Sequence, residues 1–116
     1  MGWWISLENK RGKIYNTTPH SEGGVITLGG SNEATMSLTW NYSKYYYQYI
    51  DAEEGLRWIN GKTAKETLER LITAKNILID DPSDNYWAET PGNAGHALAV
   101  LVSWAKQHPK GIWRVS

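Results

Sequence analysis

Hydrophobic and polar positions alternate with a period of two at the start of the chain. Trp3, Ile5 and Leu7 fall on one side, and Trp4, Ser6 and Glu8 on the other, which predicts a strand over 3–8. Asn9-Lys10-Arg11-Gly12 reads as a hairpin loop leading to a short return strand at 13–15. Residues 16–24 are rich in Thr, Ser and Gly and read as loop, and another short strand is expected at 25–28, before the turn Gly29-Gly30-Ser31-Asn32. The longest alternation follows. Ala34, Met36, Leu38, Trp40 and Tyr42 stand against Glu33, Thr35, Ser37, Thr39 and Asn41, which predicts one half-buried antiparallel strand over 33–42. Its hydroxyl-rich second face suits a solvated sheet surface or a polar floor beneath a ligand.

Beyond Tyr42 the period becomes helical. Ser43 reads as the N-cap of a helix starting at Lys44, with Tyr46, Tyr49 and Ile50 on one stripe and Tyr45 and Tyr47 off it. Gly55 interrupts that helix, Leu56, Trp58 and Ile59 form a short apolar segment, and Asn60-Gly61 marks a turn. Thr63 and Glu66 have capping-box spacing, so a second helix starts at Ala64, buries Leu68, Leu71 and Ile72, and stops at Asp80-Asp81-Pro82. A third helix has Thr90 as N-cap and Pro91 as its first residue, buries Ala94, Ala97, Leu98, Leu101, Trp104 and Ala105, and ends before Pro109. A last strand is expected at 112–115. The expected fold is therefore α+β and a single domain over 1–116. It has an antiparallel sheet of four to five mostly N-terminal strands, about three packing helices and a short C-terminal strand.

Charge and composition narrow the function more than they define it. Twelve basic residues balance twelve acidic ones, which argues against a nucleic-acid binder built on net positive charge and against an acidic nucleic-acid mimic. The absence of Cys removes disulfides, zinc–thiolate sites and thiol catalysis. No apolar run reaches the ~20 residues of a membrane helix, so no membrane partner is expected. Seven Trp, seven Tyr and no Phe give every aromatic ring a polar handle, suited to interfaces and stacking pockets. Trp58, Trp104 and Trp113, among aliphatic neighbours, are expected in the core.

Catalytic signatures are missing from the local sequence. No two of His20, His96 and His108 have the spacing of a helical zinc site, and there is no nucleophile elbow or phosphate-binding glycine loop. A composite site of His20, Glu22 and His96 is the one metal arrangement the residue types allow. The residues 85–96 are denser in possibilities. Tyr86 and Trp87 precede a helix start made of Thr90, Pro91, Gly92, Asn93, Ala94 and Gly95, where free N–H groups favour anions and small side chains permit close approach. Gly92 and Gly95 serve tight helix packing equally well. The candidate ligand-binding set is Tyr86, Trp87, Thr90, Asn93 and His96, set against Thr39 and Asn41 of the long strand, with Arg57 or Lys62 as phosphate partner. No catalytic residue, metal ligand or cofactor is assigned.

The segments Glu22-Gly23-Gly24, Thr39-Trp40-Asn41-Tyr42-Ser43, Gly55-Leu56-Arg57-Trp58, Gly61-Lys62-Thr63, Asn85-Tyr86-Trp87, Thr90-Pro91-Gly92-Asn93-Ala94, His108-Pro109 and Gly111-Ile112-Trp113 together carry a resemblance. The chain resembles, over nearly its whole length, a group of small phage and prophage proteins of no assigned function. In that group Gly often follows Gly-Lys-Thr where this chain has Ala64, a change that leaves the helix intact. The resemblance implies a phage context and the host-cell cytoplasm, and it brings no catalytic residues. Two functions fit that context. One is a non-enzymatic sponge that sequesters a nucleotide-derived defence signal. The other is an inhibitor that docks on a host or defence protein through Trp4, Tyr45 and Tyr47. A metal-dependent nucleotide hydrolase is a third, and a homo-oligomer would help a chain this small to build a pocket.

Overall fold

A computed structural model describes residues 2–17 and 33–116. The expected strand at 25–28, the turn at 29–32, and His20 and Glu22 lie outside the described residues. Those described form an α+β fold: strand β1 (Gly2–Glu8), strand β2 (Thr35–Thr39), helices α1 (Ser43–Tyr49), α2 (Ala64–Leu78) and α3 (Pro91–Gln107), and strand β3 (Ile112–Val115). The sheet is antiparallel with the order β2-β1-β3, so the N-terminal strand lies at its centre. Among the described residues it has three strands rather than four or five. Both edges of β1 are taken, by β2 along 2–6 and by β3 along 5–8. The expected return strand at 13–15 is left with isolated bridges, Glu8 to Ile14 and Asn16 to Glu33.

The alternation of β1 is realised as expected, with Trp3, Ile5 and Leu7 facing the core beside Met36 and Leu38 of β2 and Trp113 and Val115 of β3. On the second face Ser6, Thr35 and Thr39 are also buried, so that face is not the solvated surface its hydroxyls suggested. The strand expected over 33–42 stops at Thr39. There the Thr39 hydroxyl accepts the Asn41 N–H, and Trp40–Tyr42 turn into a 3-10 helix. That turn takes Trp40 out of the core series and leaves it 42% exposed, while Tyr42 is buried. Ser43 is consequently not the N-cap of α1, a place that Tyr42 takes. It is the first residue of α1, and its hydroxyl donates back to the Trp40 carbonyl at 2.5 Å.

Helices α2 and α3 pack on each other and complete the core. The capping box at Thr63 and Glu66 forms as its spacing predicts, and Thr67, Leu71, Ala74 and Leu78 turn inward. Leu68 and Ile72 are half-buried at the rim of that stripe. Thr67 accepts the buried indole N–H of Trp113 at 2.8 Å, tying α2 to β3. In α3 all six expected core residues are buried, joined by Val100 and Val102. Its glycines sit where the chain is tightest: a Cβ on Gly92 would lie 1.9 Å from the Asp81 carbonyl oxygen, and one on Gly95 2.3 Å from that of Ile79. The start of α3 is thus pressed against residues 79–81, the packing role that small residues there allowed. Trp104 and Trp113 are core residues, whereas Trp58 is half-buried between two cations, with Arg70 4.0 Å and Lys62 4.6 Å from its ring centre. No helix among the described residues is long and apolar enough to cross a membrane.

Candidate functional site

Most of the residues expected at a ligand site are neighbours, and the hydrogen bonds joining them cross more than forty positions of sequence. The Thr39 N–H donates to the Tyr86 hydroxyl at 2.8 Å, and the Asn41 side-chain amide donates to the Trp87 carbonyl at 2.9 Å. Tyr42 donates its hydroxyl proton to the Tyr86 carbonyl, and their rings meet edge-to-face at 5.9 Å. Tyr86 and Trp87 are themselves edge-to-face at 4.8 Å, with the Trp87 indole 54% exposed. The turn at the end of β2 and the loop ahead of α3 are therefore stitched into one surface.

Beneath that surface Asn93 is fully enclosed, at 0% exposure. Its side-chain oxygen accepts the Ser83 N–H at 2.8 Å, and its amide group is shared by the Asn85 and Ala88 carbonyls, both at 2.9 Å, and by Ser83 Oγ at 3.1 Å. The Asn93 N–H is taken by the Thr90 hydroxyl at 3.1 Å. The expectation that Asn93 reads a ligand is corrected on this point: its hydrogen-bonding capacity is spent on its own chain. Thr90 likewise serves as the helix cap. The helix start is also crowded on one side, because the Asp81 backbone carbonyl lies against Gly92. His96 is engaged with Asp80, its Nδ1 2.7 Å from the carboxylate, and its Nε2 has no hydrogen-bond partner among the described residues. Among the described residues no group of three His, Cys, Asp or Glu side chains is placed to hold a metal ion. Of the composite His20, Glu22 and His96, only His96 is described.

Arg57 opens a feature that sequence reasoning missed. It comes from a short 3-10 helix, Gly55–Ile59, and lines a cleft of about 290 Å³ together with Trp3, Trp40, Ser43 and Tyr47. Trp40 and Tyr47 are 42% and 45% exposed, and among the described residues the Arg57 guanidinium has no ion pair or hydrogen bond. Period-two counting put Trp40 in the core. The usable signal was Thr39 followed two residues later by Asn41, a local capping pattern that ends a strand.

The tyrosines behind the cleft are a supporting wall. Tyr46 donates to the Ala94 carbonyl at 3.0 Å and its ring lies 5.7 Å from that of Trp3. Burial raises the hydroxyl pKa of Tyr42, Tyr46 and Tyr86 above the usual tyrosine range, so these rings stay neutral across physiological pH. At the outer rim Lys44 and Glu89 pair at 2.9 Å, and that contact holds the lysine pKa up. No family model, curated protein or solved structure matches the chain.

Proposed function

We propose that the protein is a non-catalytic binding protein that sequesters a nucleotide-derived small molecule, acting as a phage-type antagonist of a host defence signal in the host cytoplasm. The observation that carries this reading is Arg57, a cation without an intrachain partner among the described residues, in a cleft walled by exposed Trp40 and Tyr47. Exposed indole and phenol rings offer stacking faces for a base. A guanidinium offers paired donors to a phosphate. The cleft, at about 290 Å³, lies just below the range of roughly 300–1,000 Å³ for ligand pockets, and a second copy of the chain packed across the Trp40–Trp87 rim would enlarge it. Exposure of Trp4, Trp40 and Trp87 supports a second reading, docking on a host or defence protein.

Native mass spectrometry after exposure to lysate from defence-active cells, followed by heat release, tests the choice. A nucleotide recovered from the wild type, returned chemically unchanged, is the expected outcome. Trp40→Ala and Arg57→Gln should each weaken its binding by about 1–3 kcal/mol while leaving the melting temperature within a few degrees. Turnover of the nucleotide that disappears with EDTA would overturn the non-catalytic reading. Capture of a protein with no small molecule would move the assignment to the inhibitor.

A further inference from the structure

At the other end of β1, roughly 20 Å from the Trp40 cleft by strand geometry, lies a concavity of different chemistry. It has a volume of about 310 Å³ and is lined by Asn9, Lys10, Arg11, Tyr15 and Lys110. We propose that this concavity is a second binding site, one that takes the phosphate group of a small phosphorylated ligand. The proposal does not depend on the function assigned to the Trp40 cleft.

Three cations converge here from segments about a hundred positions apart, and local structure fixes both segments. In the hairpin, Asn9 Oδ1 accepts the N–H groups of Arg11 and Lys13 at 2.8 and 3.1 Å, and the Asn9 N–H donates to the Lys13 carbonyl at 2.8 Å. The other segment is the turn after α3, closed by the Gly111 N–H on the His108 carbonyl at 3.0 Å. That turn lies so close to the sheet that a Cβ on Gly111 would meet Leu7 Cγ at 2.7 Å and the Tyr15 ring at 3.0 Å. Only glycine permits the approach that carries Lys110 to the hairpin. Tyr15 is held in turn by His108, stacked at 4.2 Å with planes 10° apart, and the His108 Nε2–H donates to the Asn16 carbonyl at 2.6 Å.

Among the described residues no acidic side chain lines the concavity. Glu8, the acid nearest in sequence, is not among the lining residues; it accepts the Ser6 hydroxyl at 2.8 Å and lies 3.8 Å from Arg114, with its Oε1 3.9 Å from where a Cβ on Gly12 would be. Lys10, Arg11 and Lys110 have no ion pair or side-chain hydrogen bond among the described residues. In a chain with no net charge, three unneutralised cations in one fixed concavity form a local excess that a dianion relieves. The ordered Tyr15 ring at its wall adds a surface for an aromatic ligand body.

Two-dimensional NMR of the whole chain tests this with inorganic pyrophosphate and adenosine monophosphate as probes, against sodium chloride at equal ionic strength. Saturable shifts at the Lys10, Arg11, Gly12 and Gly111 amides are expected. Lys10→Gln/Lys110→Gln should weaken them at least tenfold and Arg11→Gln at least threefold. Shifts of the Tyr15 ring protons with the nucleotide but not with pyrophosphate would identify a nucleotide source. Equal response to both would identify the free phosphate chemistry. Shifts that fail to saturate, that sodium chloride reproduces, or that survive in both variants would overturn the site. A single-stranded oligonucleotide that displaces pyrophosphate more strongly with each added nucleotide would overturn the small-ligand assignment.

Discussion

Asn93 is the residue from which the 83–88 loop hangs. Its side chain joins Ser83, Asn85 and Ala88, so its loss takes the acceptor from the half-buried Ser83 N–H and one donor each from the Asn85 and Ala88 carbonyls. Asn93→Ala should lower unfolding stability by about 2–3 kcal/mol, read from urea titration, and should loosen Tyr86 and Trp87 with it. Undiminished stability with weakened ligand binding would instead restore Asn93 to a recognition role. Ile79 makes the opposite case. It follows the last turn of α2 with φ of 68°, a conformation that a β-branched residue adopts at a cost, and its side chain is 63% exposed. Ile79→Gly should therefore stabilise the fold by about 1 kcal/mol, the relief of strain exceeding the entropy that glycine adds to the unfolded chain. A lower melting temperature would contradict this.

Among the elements, α2 and α3 were legible before folding because their limits are set within one turn of chain. Thr63 with Glu66 and Thr90 with Pro91 each satisfy donors a few residues away. Thr63→Ala should cost about 1 kcal/mol by thermal denaturation, and Glu66→Gln, which keeps an acceptor, should cost less. Strand limits depend on distant partners and were less legible. Alternation continues through Trp40 and Tyr42, yet Thr39 donates its N–H to Tyr86 and its hydroxyl accepts the Asn41 N–H, which ends the strand. The return strand at 13–15 is cut to isolated bridges for a similar reason, since the chain leading into β2 shares its edge of β1: Leu7 donates its N–H to the Ala34 carbonyl at 3.0 Å and accepts the Tyr15 N–H at 3.1 Å. The candidate site was legible as a neighbourhood: Thr39 and Asn41 do meet Tyr86 and Trp87. Its inner partition was not, because an amide suited to a ligand suits a loop carbonyl equally well. Asn93 therefore went to the scaffold while Trp40 went to the surface.

For the whole molecule, the neutral tyrosines set an alkaline limit. Burial raises Tyr42, Tyr46 and Tyr86 above the unfolded value of about 10, so at high pH the unfolded chain releases protons that the folded one retains. Stability from this source is intact below pH ~10 and is lost as pH rises above it. Melting temperatures should fall from pH ~10 upward, and Tyr46→Phe should show a shallower fall after a lower start. Equal slopes for the two proteins would remove Tyr46 from the explanation. The sheet order has a further consequence, for biosynthesis. The strand made first, Gly2–Glu8, lies between the other two, and Trp4 exchanges both backbone hydrogen bonds with Ser116 at 2.9 Å. On the ribosome β1 can pair with β2 early, but its other edge stays open until residues 112–116 leave the exit tunnel. Until then the nascent chain carries an unprotected strand bearing Trp3, Ile5 and Leu7, and closing that edge waits on a strand that lies beyond both long helices in sequence.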